Sequence, residues 1–88
     1  MRGADMLQHA ARIVDGKRDE YGEPEELFEQ IAIRWSFVLK INITSAQVAL
    51  CFLEIKMARL AHDPKHEDSL VDVAGYAACL QEINNINA

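Results

Sequence analysis

The stretch TSAQVALCFLEIKMARLA, residues 44–61, decides the fold. Thr44 and Gln47 stand three apart in capping-box positions, where a hydroxyl accepts a backbone N–H and the Gln side chain reaches back to the cap. From Ser45 to about Ala61 apolar residues then occupy nearly every side of the predicted helix. A helix of that kind is central, with partners around it. His62-Asp63-Pro64 breaks it.

Upstream, Glu23-Pro24-Glu25-Glu26 reads as a helix start, with proline where no N–H is needed and acids complementing the helix dipole. Leu27, Phe28, Ile31, Ala32, Trp35, Val38 and Leu39 form its apolar stripe, and the helix should end near Leu39 or Lys40. Ile41-Asn42-Ile43 suits an extended backbone but is too short for a sheet. Further upstream, Leu7, Ala10, Ala11 and Val14 recur at i, i+3, i+4 and i+7, which predicts a short helix from about Ala4 to Val14. Asp15-Gly16 reads as its stop, with residues 17–22 as a charged connector. Downstream, a fourth helix should run from Glu67 to about Ile83, with Asn84-Asn85 fraying and a core face of Leu70, Val73, Ala74, Ala77 and Leu80 or Gln81. Gly75 inside it costs about 1 kcal/mol relative to alanine, so another backbone or a ligand should come close there. Residues 1–88 therefore read as one all-α domain: a four-helix bundle with a short first helix and three longer ones.

A chain of 88 residues buries only roughly 60–65% of its unfolded surface, yet half of this one is apolar. The surplus points to a homo-oligomer, a dimer or higher, in preference to a monomeric bundle with a rich core. The third helix and the Ala/Gly face of the fourth are its expected location. Fourteen acidic against nine basic residues, net −5, speak against duplex nucleic acid as partner. Local pairs such as Lys17-Arg18 and Lys56 with Arg59 still suit a small phosphorylated ligand. Cys51 and Cys79 read as reduced core thiols. The apolar run from Ala46 to Leu53 is far short of the ~20 residues of a membrane span, and no signal-like apolar segment opens the chain, so the expected location is cytoplasmic.

Glu54 is the first candidate site residue, because Cys51, Phe52, Leu53, Ile55, Met57 and Ala58 surround it. A carboxylate buried there needs a cation, either a ligand or a structural partner such as Arg34 or Arg59. Asp68 and Asp72 lie one turn apart on one face of the fourth helix. Asp68 is also placed to cap that helix, whereas Asp72 lies a full turn inside. Two stacked acids and a third from a neighbouring helix suit Mg²⁺, which takes hard oxygen ligands and bridges to phosphates. Lys56, Arg59, Arg18 and Tyr21 supply phosphate and base contacts, or else stand as solvated surface groups. Trp35 and Phe28 read as packing. His9, His62 and His66 have no metal-ligand spacing, and no P-loop, nucleophile elbow or Gly-rich dinucleotide loop occurs.

The segments YGEPEELFEQIAIRW, EIKMARL and HEDSLVDVAGYAA together resemble a family of short phage and prophage proteins of unassigned function. The resemblance covers roughly Gly16 to Ile83, and His66 to Ala77 is its most specific part. That family is in turn similar to the MazG-like all-α nucleoside triphosphate pyrophosphohydrolases. These are Mg²⁺-dependent helical oligomers that cleave between the α- and β-phosphates, using Glu-x-x-Glu on one helix and Glu-x-x-Asp on the next. The resemblance places Asp72 at the terminal Asp of the second motif and Glu54 at one Glu of the first, as catalytic and metal residues. Asp68 stands for the leading acid at a spacing of four instead of three. Cys51 or Met57 occupies the position of Glu54's partner acid, and neither binds Mg²⁺. Three readings follow: a pyrophosphohydrolase lineage with an incomplete acidic motif, a non-catalytic oligomer that sequesters a nucleotide of a host defence system, and a module that engages a host protein. For a phage-encoded chain the compartment would be the host cytoplasm.

Overall fold

The computed structural model describes residues 1–87. They form four helices, α1 (Gly3–Tyr21), α2 (Pro24–Leu39), α3 (Ser45–His62) and α4 (Glu67–Asn87), and no strand among the described residues. α4 packs most extensively on α3, and then on α1 and α2; α1 and α2 barely touch. No described helix is long and apolar enough to cross a membrane.

The capping box of α3 forms as the sequence predicts. Gln47 donates its backbone N–H to Thr44 Oγ1 at 3.2 Å, and Thr44 donates its own to Gln47 Oε1 at 2.9 Å. α2 ends at Lys40, whose backbone is left-handed (φ 62°). Ser36 then anchors the turn: Ile43 donates its N–H to the Ser36 hydroxyl at 2.9 Å, and that hydroxyl donates to the Ala32 carbonyl at 2.7 Å.

α1 differs from its expected length. It passes through Asp15-Gly16 and ends seven residues beyond Val14, at Tyr21. Gly16 faces open space and nothing forces it out of the helical region. Val14, Lys17, Arg18 and Tyr21 continue the i, i+3, i+4, i+7 spacing and turn towards one cavity. Arg18 holds the last turns through ion pairs to Glu82 on α4 (2.6 Å) and to Glu23 (3.1 Å). The stop is Gly22, at φ +85°, whose N–H bonds the Arg18 carbonyl at 2.9 Å. α4 likewise runs past Ile83, because the fully buried Ile83 anchors its last turns instead of fraying with them.

The core is small. Phe28 and Ala32 of α2, Val48 and Ala49 of α3 and Ile83 of α4 make it. Phe52 is the aromatic hub beside it, edge-on to Phe28 (5.7 Å) and Trp35 (5.7 Å) and tilted against Tyr76 (5.3 Å). The radius of gyration is 13.7 Å, against ~12 Å for a compact domain of this length. That looseness shows on α2, where the expected core residues Val38 (71% exposed) and Leu39 lie open together with Ile33 and Phe37 (76% exposed). α3 and α4 cover only one side of α2 and leave the outer side of its last two turns uncovered, with Trp35 and Ser36 half-buried on the inner side.

The segment from His66 to Tyr76 has a structural account, residue by residue. His66 precedes α4, and its Nδ1 accepts the backbone N–H of Ser69 at 3.2 Å. The fully buried Ser69 hydroxyl lies 2.7 Å from the same nitrogen. Accepting both requires Nδ1 to carry no proton. Asp72 bonds to Lys56, Tyr76 packs on Phe52, and a Cβ on Gly75 would meet Val14 Cγ2 at 3.7 Å, an ordinary contact. The close backbone approach expected at Gly75 is therefore absent: the one neighbour is an α1 side chain at ordinary contact distance, so space alone does not require glycine there. His66 acts here as the helix cap. His66→Ala should therefore lower stability by about 1 kcal/mol in urea melts, and His66→Asn, which can cap in the same way, should restore most of it.

Candidate functional site

α1, α2 and α4 enclose a cavity of about 370 Å³, within the range of small-molecule sites. It exists because α1 leans on α4 while hardly touching α2, which leaves a wedge between them. Its wall is apolar and aromatic: Ile13, Val14, Leu27, Phe28, Ile31, Val71 and Tyr76 line it, with Phe52 of α3. Three charged side chains reach it, Lys17, Arg18 and Asp72, and Tyr21 joins them. Lys17 Nζ lies 5.2 Å from the centroid of the Tyr21 ring, a cation–π contact.

Arg18 is the best-organised polar group of the site. Glu82 accepts its Nη2 hydrogen bond at 2.6 Å, and Glu23 lies 3.1 Å from Nε without hydrogen-bond alignment, so the second contact is an ion pair only. The bond to Glu82 and then the charge of Glu23 push the guanidinium further into its charged form. Glu25 joins Glu23 and Glu82, and their carboxylate oxygens lie within 4.8 Å of one another. One Glu25 oxygen, Oε2, is shielded from solvent with no hydrogen-bond partner. Among the described residues this is the one group of three or more such side chains spaced like metal ligands. Arg18 already supplies the cation for two of its three members. Sequence reading took Glu23 and Glu25 only as helix-start acids and passed over Glu82. No local signal joins residues so far apart in the chain.

The sequence-predicted site residues separate into different places. Asp72 and Lys56 meet each other, Oδ2 to Nζ at 3.0 Å, with Lys56 largely buried and Asp72 on the cavity wall. Arg18 and Tyr21 line the same cavity. Glu54 is exposed, not buried as its neighbours suggested, and makes no ion pair with Arg34 or Arg59 among the described residues. The reason is that α3 has an open outer face, so apolar neighbours in sequence do not mean burial. Asp68 is exposed in the first turn of α4. Arg59 lies elsewhere, in an open depression with Ala58, His62, Asp63 and His66. Glu54, Asp68 and Asp72 therefore do not converge on a point where one Mg²⁺ ion would sit.

Both cysteines are free thiols, but only one is in the interior as expected: Cys51 is exposed, and Cys79 is half-buried on the cavity wall. Burial first, then the charge of Glu82, holds the Cys79 thiol above its ordinary value. A thiol reagent at mildly alkaline pH should therefore label the protein in two phases, Cys51 first and Cys79 slowly. A cavity ligand should slow only the second phase, and Cys51→Ser should remove only the first.

The architecture is that of a small all-helical protein with an aromatic, charge-rimmed cavity between three of its four helices. The chain belongs to the family described as Domain of unknown function (DUF6378), whose profile matches residues 5–84. It is 38% identical over 79 residues to the Gene 55 protein of Mycobacterium phage D29, covering 89% of this chain and 52% of that protein. It is 34% identical over 80 residues to the Gene 55 protein of Mycobacterium phage L5, covering 89% and 51%. The chain thus spans about half the length of these curated relatives. No solved structure matches it significantly.

Proposed function

We propose that the protein is a nucleotide-binding module of phage type that holds its ligand in the α1–α2–α4 cavity without cleaving it. The observation that carries this reading is the Lys56–Asp72 bond on the cavity wall. Where the resembled MazG-like enzymes use an acid to hold Mg²⁺, this chain presents the acid with an internal ammonium already on it. Glu54, Asp68 and Asp72 as a set lack metal-ligand spacing, which counts against one magnesium ion held by all three. The rest of the cavity suits a flat ring and an anion. Phe28, Phe52, Tyr76 and Tyr21 offer faces and edges for a base. Lys17 and the unused N–H groups of Arg18 lie where they can meet phosphate. The same proposal has the chain acting as a homo-oligomer, since so much apolar surface stays open on α2 and α3.

A thermal-shift and calorimetry screen of mono-, di- and triphosphate and cyclic nucleotides, with EDTA and with Mg²⁺, tests the reading. A ligand that binds only the native state raises its melting temperature. Stabilisation in EDTA with no pyrophosphate release is the expected result, and the absence of any nucleotide binding would overturn it. A second reading, the pyrophosphohydrolase, draws on one observation: Asp72, the acid that the resemblance places in the catalytic motif, does line the cavity. Mg²⁺-dependent pyrophosphate release abolished by Asp72→Ala would select that reading.

A further inference from the structure

Of the two oxygens of Asp72 only one is engaged. Lys56 Nζ lies 3.0 Å from Oδ2, and the side chain makes no other hydrogen bond or ion pair among the described residues. Two stacked pairs fix where this carboxylate stands. Phe52 and Lys56 lie one turn apart on α3, and Asp72 and Tyr76 lie one turn apart on α4. Across the contact between the helices Tyr76 rests on Phe52, with ring centroids 5.3 Å apart, and Asp72 meets Lys56. The carboxylate is therefore one turn along from the aromatic wall of the same cavity. The cationic end is elsewhere. Arg18 is tied to Glu82, ten residues beyond Asp72 and so about 15 Å further along α4. An acceptor thus stands at one end of the cavity, aromatic faces lie between, and cations stand at the other end.

Lys56 offsets the charge of Asp72, and Lys17 and Arg18 line the same cavity, so a cationic ligand gains little there. What the carboxylate still offers is hydrogen-bond acceptance, since it has no donor of its own. Lys56 occupies one lone-pair site, which leaves room for two more bonds. A matching base edge carries donors side by side. Guanine has two, its ring N–H and its 2-amino group, whereas adenine and cytosine set one amino group beside an accepting ring nitrogen. Uracil and thymine flank their single N–H with two carbonyls. An acceptor held against the carboxylate is repelled, which discriminates against those edges. We infer that Asp72 reads the base and that the cavity takes a guanine nucleotide, whose ring N–H and 2-amino group bond to the Asp72 carboxylate while Lys17 and Arg18 meet its phosphates. Lys56 is then a positioning residue that holds the carboxylate in place for the base.

The inference rests on the nucleotide-binding reading above, and one calorimetric series in EDTA separates the failure of one from that of the other. The wild-type chain is titrated with GTP, ITP and ATP. Hypoxanthine, the base of ITP, keeps the ring N–H of guanine and lacks the 2-amino group. GTP should bind about 10–100-fold tighter than ITP, the effect of one hydrogen bond to a charged group. ITP should in turn bind tighter than ATP. Asp72→Asn should reverse the order and favour ATP over GTP, because a carboxamide offers the donor and acceptor that an adenine edge matches. A merely structural role for Asp72 would weaken all three ligands alike. Where Asp72→Asn fails to fold, the wild-type order of the three ligands decides. Binding of none of them overturns both readings. Equal affinities, a wild-type preference for ATP, or an order unchanged in folded Asp72→Asn overturns the role of Asp72 and leaves nucleotide binding standing.

Discussion

Replacing Phe28 by alanine should lower the unfolding free energy by about 3–5 kcal/mol. The ring is 4% exposed in a five-residue core cluster drawn from α2, α3 and α4. It packs edge-on to Phe52, so its removal also loosens the aromatic hub that carries Trp35 and Tyr76. Phe28 also lines the cavity, so the space left behind joins existing space, which favours the upper part of that range. A domain of this size has of the order of 5–10 kcal/mol in total. Phe28→Ala should therefore melt at a much lower urea concentration or fail to fold. Leu27→Ala, one residue away but 37% exposed, should cost far less. Equal midpoints for the two variants in chemical denaturation would show that the core lies elsewhere.

The second large effect is on ligand affinity. Arg18→Ala should weaken nucleotide binding about 10–100-fold, the loss expected for charge-assisted hydrogen bonds to phosphate. Arg18 commits Nη2 to Glu82 and approaches Glu23 through Nε, and its remaining donors stay available to the cavity. The two acids therefore position the guanidinium before a ligand arrives. Some fold stability goes with the side chain, because it ties α1 to α4, and so the comparison with Arg18→Lys matters. Lysine keeps the charge but not the planar fork. An intermediate affinity for Arg18→Lys would locate the effect in the fork geometry. Arg12→Ala, exposed on the same helix and away from the cavity lining, is the control that should bind as the wild type does. Titration calorimetry on the three variants reads all of this directly.

Much of the architecture was legible from residues 23–47. Pro24 among acids and the Thr44/Gln47 box are local devices, complete within one turn, and both helices start where they were placed. Stops were less legible. Gly16 looked like the end of α1 and Gly22 was the real one. The difference lies in Arg18, whose partner Glu82 is sixty-four residues away. The candidate site was legible only in pieces. Asp72, Arg18 and Tyr21 do share a cavity, whereas Glu54 and Arg59 belong to other surfaces. Apolar neighbours on every side of Glu54 suggested burial, but a helix can be apolar all round and still keep one open face.

The largely apolar helix at residues 45–61, its cap and its helical identity follow from the sequence by itself. They depend on side-chain spacing and on hydrogen bonds that close within one turn. Which of its faces is covered, and by what, only the tertiary structure decided. The fate of its charges was also decided there: Lys56 turns inward to Asp72, while Glu54 and Arg59 stay in the open. Ion pairs between helices depend on how the helices lean on one another. That is set by packing across the whole chain, and no window of sequence contains it.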